Sequence, residues 1–349
     1  LRRLAWLALA VLIGLGTAAV TGVRIADATD STPYLLATAA LLAIGLYGST
    51  YGIDLAAARQ DRRLIVTAVT VGVVVKAAVI GVALALAWQD PLFLLLGIVV
   101  AQIDPLSVAA LLGDDRLSPR ARTVLAAWSS FDDPITVVLT VYAAAVAVDT
   151  FGLGTPGAQG VHVADGLLAY AADLALNLAF AGLVWLLWRY GVRNRPRWAT
   201  ALLALAVAVA VWQFWMLGLA LVGLFLRPAW LERLLPRITQ GALYAATVLL
   251  GLLLIGGIAL PQGISLGVAA FAAQILVGWL LTRNMPAADR LHLAFAQQNG
   301  ITAIILALRL EAQFAGVVAV VAPAVLVTNL THYAANHLLD RRARTRTPA

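Results

Sequence analysis

Apolar runs long enough to cross a bilayer recur along this chain, each closed by a cluster of arginines or by a Gly/Pro turn. A helix rises 1.5 Å per residue, so about 20 such residues traverse a hydrocarbon core of about 30 Å. The runs predict helices near 4–24, 33–54, 63–88, 91–112, 119–149, 165–190, 198–212, 214–226, 238–260, 262–282, 287–309 and 312–338. The seventh and eighth are short and split only at Trp212-Gln213; fused, they would leave eleven spans instead of twelve. Of the 349 residues, 62% are hydrophobic and 12% charged, with a mean hydropathy of +0.92. A soluble domain carries about 25% charged residues, so the expected class is an all-α polytopic membrane protein. Leu1-Arg2-Arg3 and the run behind it read as a first span, because the run is too long for a signal peptide and further spans follow.

Loop charge decides the count. With the N-terminus inside, alternate segments carry Arg2 and Arg3; Arg59, Arg62 and Arg63; Arg116, Arg120 and Arg122; Arg189, Arg193, Arg195 and Arg197; Arg227, Arg233 and Arg237; Arg283 and Arg290; and Arg341, Arg342, Arg344 and Arg346. These are 21 of the 24 basic residues, against Arg24 and Arg309 on the other side. The asymmetry favours twelve helices with both termini cytoplasmic, in a plasma membrane of the bacterial type. The same scatter of arginines through short gaps argues against a nucleic-acid face, despite a net charge of +7. Without cysteine there is no disulfide framework and no thiolate metal site.

Two adjacent carboxylates interrupt the fifth run, in Trp128-Ser129-Ser130-Phe131-Asp132-Asp133-Pro134-Ile135-Thr136. One acidic side chain at the centre of a span costs roughly 2.5 to 3.5 kcal/mol on insertion scales, so a pair points to transport of a cation or proton. Successive helical positions turn by about 100°, which assigns the two aspartates different directions: one ion-binding carboxylate and one supporting neighbour. Pro134 is expected to free the carbonyl of Ser130 and to bias Asp133 away from helical geometry.

Further polar residues lie at the same depth. Counted from the end at which each helix enters, Lys76, Asp104, Asp132 with Asp133, Gln274 and Asn299 all sit about 12 or 13 residues in, roughly 18 to 20 Å. Their spacing, with Lys76, Asp104 and Asp132 in one half and Gln274, Asn299 and Asn329 in the other, is that of an inverted-topology repeat around a midplane site. Two spans carry signals for interruption. Ala101-Gln102-Ile103-Asp104-Pro105 places an acid and a proline mid-span, freeing the carbonyl of Ala101, and Gln297-Gln298-Asn299-Gly300 favours an unwound segment in the eleventh span.

The segment Gln102-Ile103-Asp104-Pro105-Leu106-Ser107-Val108 resembles the T-D-P-V-A-V segment of the cation:proton antiporter superfamily, the sodium/proton exchangers. Ser129-Ser130-Phe131-Asp132-Asp133-Pro134-Ile135 resembles their E-S-x-x-N-D-P segment. Gly52-Ile53-Asp54-Leu55 is similar to the family's G-L-E-L-D turn, and Leu217-Gly218-Leu219-Ala220-Leu221-Val222-Gly223-Leu224 to its G-A-F-L-A-G-L. The resemblance covers nearly the whole chain, and the paired D-P segments are its specific part. It implies crossed broken helices in a core bundle (about 63–149 and 262–338) beside scaffold, dimerisation and linking helices (about 1–54 and 165–260), within one transmembrane domain that forms a homodimer in the bilayer. It implies that Asp133 is the aspartate that exchanges a proton for a cation, that Asp132 stands where electroneutral members have Asn and many electrogenic ones Asp, and that Ser129 lies near the bound ion. Asn299 stands close to the arginine of a G-x-R-G segment. Trp128 replaces the motif's Glu, Ile103 its Thr, and Gln274 occupies the tenth-span position where a basic residue is expected. Lys76, the only lysine, holds the symmetry-related place in the third span and is the expected cationic partner of Asp132 or Asp133.

A hard cation wants oxygen ligands, which Asp133, Ser129 or Ser130 and freed carbonyls near Ala101 and Ser130 could supply, while the same carboxylate can take a proton. The expected function is exchange of sodium or potassium for protons, with no cofactor beyond the transported ions. The alternatives are a transport-inactive antiporter-like sensor or scaffold, marked by Trp128 and Gln274, and a broken-helix carrier for an organic anion, against which the acidic midplane argues. No nucleotide-binding loop, zinc-protease motif or Ser/His/Asp set is present, and an aspartyl-protease pair would draw its acids from two helices. Asp173 and Asn177 share a helix face, either lining a vestibule or joining helices. His292 reads as an interfacial histidine, Asp114 and Asp115 as a solvated loop, and Trp6, Trp88, Trp198 and Trp230 as interfacial anchors.

Overall fold

The computed structural model describes residues 2–22, 24–53, 55–105, 117–153 and 163–345, and every regular element among them is helical. The principal helices are α1 (Arg2–Thr21), α2 (Thr32–Tyr51), α3 (Arg59–Trp88), α4 (Leu92–Val100), α5 (Pro119–Phe151), α6 (Val163–Leu186), α7 (Pro196–Gln213), α8 (Met216–Gly223), α9 (Ala229–Leu253), α10 (Leu260–Leu281), α11 (Ala287–Ala294), α12 (Ile301–Glu311) and α13 (Val317–Thr345). Among the described residues 8 of these helices are long and apolar enough to cross a membrane, and α1 adds a shorter apolar stretch, Ala5–Thr21. Asp54, the second half of the fourth predicted span (Leu106 and Ser107 included) and Asp114 to Arg116 lie outside the described residues.

The chain departs from the sequence expectation at three places. A short helix, Ile25–Thr29, occupies the segment between the first two predicted spans. Pro134 does not interrupt α5, which runs as one helix of 33 residues. A proline removes one N–H and crowds the carbonyl four residues back, and a helix tolerates this when packing on both sides holds it; Ser130, Asp133 and Val137 are all buried. The third departure is α8, whose 8 residues are too short to cross as a helix. Phe214 takes a left-handed conformation (φ 59°) that reverses the chain after α7. Gly223 then lies so close to α2 that an added Cβ would strike Thr50 and the Tyr47 carbonyl. The carbonyls left open where α8 and α2 end are taken up by Arg227, which donates to Gly223 (3.0 Å) and Ile53 (3.1 Å), and by the Tyr47 hydroxyl, which donates to Leu226 (2.6 Å).

The helices gather into two compact units. The first comprises residues 1–53, 133–257 and 304–318. In it α1 lies along α9 at backbone contact, since a Cβ on Gly14 would meet the Val248 carbonyl and one on Gly251 the Val11 carbonyl. Small residues let membrane helices approach this closely where no hydrophobic driving force acts between them. α8 packs on α2 and α6, and its first turn is held by Asn177 of α6, whose Oδ1 accepts the Gly218 N–H at 2.9 Å.

The second unit comprises residues 54–132, 258–303 and 319–349. Here α3 and α4 form an antiparallel pair, joined through Gln89 in a left-handed conformation (φ 53°), and α10 packs on both. One face of α3 is apolar and outward, with Val71, Val74, Val79, Val82 and Leu86 exposed; Val73, Lys76, Ile80 and Leu84 recur at helical spacing on the buried face. The lysine is therefore carried inward by the same periodicity that places its apolar neighbours. Gly97 of α4 sits against Gly81 and the Ala77 carbonyl of α3, where a Cβ would come within 2.6 Å of the Gly81 nitrogen. Gly97→Val is expected to force the two helices apart and lower stability by about 1–3 kcal/mol, read from thermal unfolding in detergent.

Candidate ion site

The second unit brings two interruptions together. α4 stops at Val100 because Pro105 cannot donate to Ala101 and pushes Asp104 toward an extended conformation. The chain from Ala101 to Asp104 is non-helical, and the helix resumes at Pro105, a residue suited to a first helical position. Opposite it, Ala296 to Gly300 is non-helical between α11 and α12. Neither segment can rely on water for its open backbone groups, so each serves the other. The Asp104 N–H donates to the Gln298 carbonyl at 2.9 Å. Gln297 Nε2 donates to the carbonyls of Val100 (2.9 Å) and Gln102 (2.7 Å), and Asn299 Nδ2 to Val100 (3.1 Å). Gln297 thus closes the C-terminal end of α4 from another part of the chain.

Behind the crossing, α13 supports the second interruption. Asn329 holds one peptide on both sides, its Oδ1 accepting the Asn299 N–H (3.2 Å) and its Nδ2 donating to the Asn299 carbonyl (2.9 Å). One turn on, buried His332 places Nδ1 2.7 Å from the Phe295 carbonyl and Nε2 2.6 Å from Gln298 Nε2. A proton on Nδ1 satisfies both contacts, since the carbonyl can only accept and the amide N–H can then donate to Nε2.

The charged centre lies on the α3 side. Lys76 and Asp132 are fully buried and form an ion pair, Nζ to Oδ2 at 3.1 Å. The same oxygen accepts the Ile103 N–H from the first interruption at 3.1 Å, and the ammonium stands 5.5 Å from the centre of the Trp128 ring. Asp132 therefore ties α3, α5 and the break after α4 to one point. A π-helical turn, Ala68–Gly72, precedes Lys76 by one turn. Such turns are frequent at functional sites. Asp133 follows on another face of α5, 1% exposed, and is the first residue of the other compact unit. No group of three or more His, Cys, Asp or Glu side chains placed to hold a metal ion occurs among the described residues.

Asp104, Ala101, Ile103, Gln298 and Asn299 all fall at the crossing, and Asp104 is 1% exposed. Gly300 is required there, because an added Cβ would run into the Asp104 carboxylate. Gly300→Ala is expected to displace that carboxylate, costing about 1–3 kcal/mol; an unchanged unfolding temperature would contradict the packing described. Ser129 and Ser130 are buried, and the Ser129 hydroxyl bonds back to the Ala126 carbonyl at 3.2 Å. Gln274 joins α10 to α11, its Nε2 donating to the Leu293 carbonyl (3.0 Å). Asp173 is exposed and borders a cavity of about 290 Å³ in the first unit, while Asn177 contacts both Asp173 and Gly218. His292 is partly buried, and Trp6, Trp88, Trp198 and Trp230 are exposed.

The sequence marked Gln297 only as part of an unwound segment and Asn329 only by its spacing, and gave no role to His332. The signal available was a polar stripe, Asn329, His332 and Asn336, recurring at helical spacing on an otherwise apolar span.

Crossed, mutually capped interruptions in an all-helical membrane protein define a fold class in which irregular backbone is kept at membrane depth inside protein. The chain has the fold of the sodium proton antiporter MjNhaP1 from Methanocaldococcus jannaschii, solved at pH 8: the two superpose with a TM-score of 0.71 over 94% of this chain and 92% of that one, at 15% sequence identity. No family model and no curated protein sequence matches the chain.

Proposed function

We propose that the chain is a secondary active antiporter that exchanges a monovalent cation, sodium or potassium, for protons by alternating access. The observation that supports it most is the buried Lys76–Asp132 pair anchored to an interrupted helix, in a chain with the fold of a protein whose solved structure is that of a sodium proton antiporter. A lysine and an aspartate fully buried among apolar helices are costly where well-packed apolar residues would serve a scaffold as well, which favours a role for the charges themselves.

Asp132, matched by Lys76, holds the site in this reading, and Asp133 carries the exchange. When protonated it is neutral and needs no cation; when ionised it takes a cation, whose remaining ligands are oxygens, with the hydroxyls of Ser129 and Ser130, four and three residues earlier in the sequence, as candidates. Competition for one carboxylate couples the two fluxes without any further device. The protein works in this proposal as a homodimer in a plasma membrane of the bacterial type, with both termini on the cytoplasmic side.

The test is reconstitution into liposomes with an internal pH dye, while sodium, potassium and lithium are stepped outside. Cation-dependent proton movement names the substrate, and its dependence on membrane potential gives the stoichiometry. Silence from folded protein with every cation would reject antiport in favour of a transport-inactive sensor or scaffold.

A further inference from the structure

A recess of about 610 Å³ opens in the second unit where α3 begins and α10 ends. Four guanidinium groups line it: Arg59, Arg62 and Arg63 from the start of α3, and Arg283 just after α10. Among the described residues none of the four makes a salt bridge. The one acid in the wall, Asp61, is already committed, since Arg120 holds it with Nε at 3.1 and 2.9 Å from its two oxygens. The recess therefore presents an excess of about four positive charges with amide and hydroxyl groups (Gln60, Asn284, Thr67) beside them.

The rest of the wall is apolar. Leu64, Leu280 and Leu281 complete the lining, and Leu280 and Val66 are more than half exposed on the outward faces of α10 and α3. The arginines directly precede the apolar run of one membrane-crossing helix and directly follow that of another, which sets them at the level where hydrocarbon gives way to water. An occupant must then offer negative charge to a planar, forked donor set and apolar chain to the leucines below it. Guanidinium groups match phosphate oxygens in pairs, and basic pockets between helices on the cytoplasmic side suit phospholipid headgroups. A soluble phosphate would satisfy the arginines and leave the leucines uncovered.

We propose that this recess is a binding site for an anionic membrane phospholipid, its phosphate held by Arg59, Arg62, Arg63 and Arg283 and its acyl chains lying along Leu64 and Leu280. The proposal is independent of the ion that the protein moves.

The experiment is native mass spectrometry of the full chain released from neutral detergent, with dioleoylphosphatidylglycerol or dioleoylphosphatidylcholine added at graded concentration. Wild type is expected to retain phosphatidylglycerol preferentially. Arg62→Gln/Arg63→Gln/Arg283→Gln is expected to lose at least about tenfold in that retention, with phosphatidylcholine unchanged, because each interfacial arginine contributes roughly a fivefold preference for anionic lipid. The single Arg283→Gln variant, which alters only the turn after α10, carries the same expectation at about fivefold and guards against failure of the triple variant to fold. Arg193→Gln/Arg195→Gln/Arg197→Gln, at another arginine cluster, should retain the lipid as wild type does. An equal loss there would reduce the effect to overall charge and overturn the site. Unchanged retention in the folded triple or single variant overturns it as well. Displacement of the lipid by millimolar glycerol 3-phosphate, with the same dependence on the arginines, would reassign the recess to a soluble phosphate and overturn the lipid assignment.

Discussion

Proteoliposomes carrying Asp133→Asn are expected to show no cation-dependent proton movement above that of empty vesicles, with sodium, potassium or lithium. The substitution keeps the shape of a side chain that is 1% exposed, exchanges one acceptor oxygen for an NH2 donor and removes the ability to ionise. An amide needs less solvation than a carboxylate, so the variant should unfold at a temperature no lower than wild type. That combination separates the exchange from the fold: a stable protein that has lost transport. Residual antiport at a comparable rate would move the carrier role to another acid, with Asp104 the next to test. Asp132→Asn is not the same experiment, since it also strands a lysine.

Lys76→Gln should destabilise the protein by about 3–5 kcal/mol, the usual consequence of removing one partner of a buried pair. Asp132 would keep the Ile103 N–H at 3.1 Å and lose the ammonium at the same distance. A charge at full burial that has lost its ion-pair partner is poorly compensated. Removing both charges tests the reasoning from the other side: Lys76→Met/Asp132→Leu should recover most of the lost stability while failing to transport. The measurement is unfolding in one detergent at one pH, together with the pH dependence of transport for any variant that remains active. If Lys76→Gln matched wild type in both, the pair would be incidental.

What was legible in the sequence is what lipid makes expensive. The Ala101 to Pro105 break and the Gln297 to Gly300 break stood out because a polar or proline-bearing stretch has no other reason to sit mid-span. Lys76 stood out for the same reason, but the sequence left its partner open between Asp132 and Asp133, and the structure pairs it with Asp132. Pro134 was misleading because its local rule, that proline breaks a helix, yields to tertiary packing on both sides of α5. α8 was already short in the sequence, as a run over 214–226, but its end at Gly223 was not legible there, because it is set by how closely Gly223 approaches α2, a contact about 170 positions away in the chain. Gln297, Asn329 and His332 escaped assignment because their roles are to satisfy backbone groups of other segments, and a sequence does not display which carbonyls are open. The arginines beside α3 and α10 were readable only as loop charge until the fold put Arg283 across from Arg59, Arg62 and Arg63.

The way Asn329 grips Asn299 has a consequence for motion. By meeting both the N–H and the C=O of one residue, its carboxamide does for a non-helical segment what a neighbouring strand does in a sheet. With Gln297 and the Asp104 amide fastened across the crossing, each unwound stretch is bonded to the other as well as to the helix behind it. They are girders and not hinges. Their amide protons should exchange with deuterium as slowly as those of α4, and any movement that carries an ion must take the crossing along whole, its bending displaced to the ends of the helices that bear it.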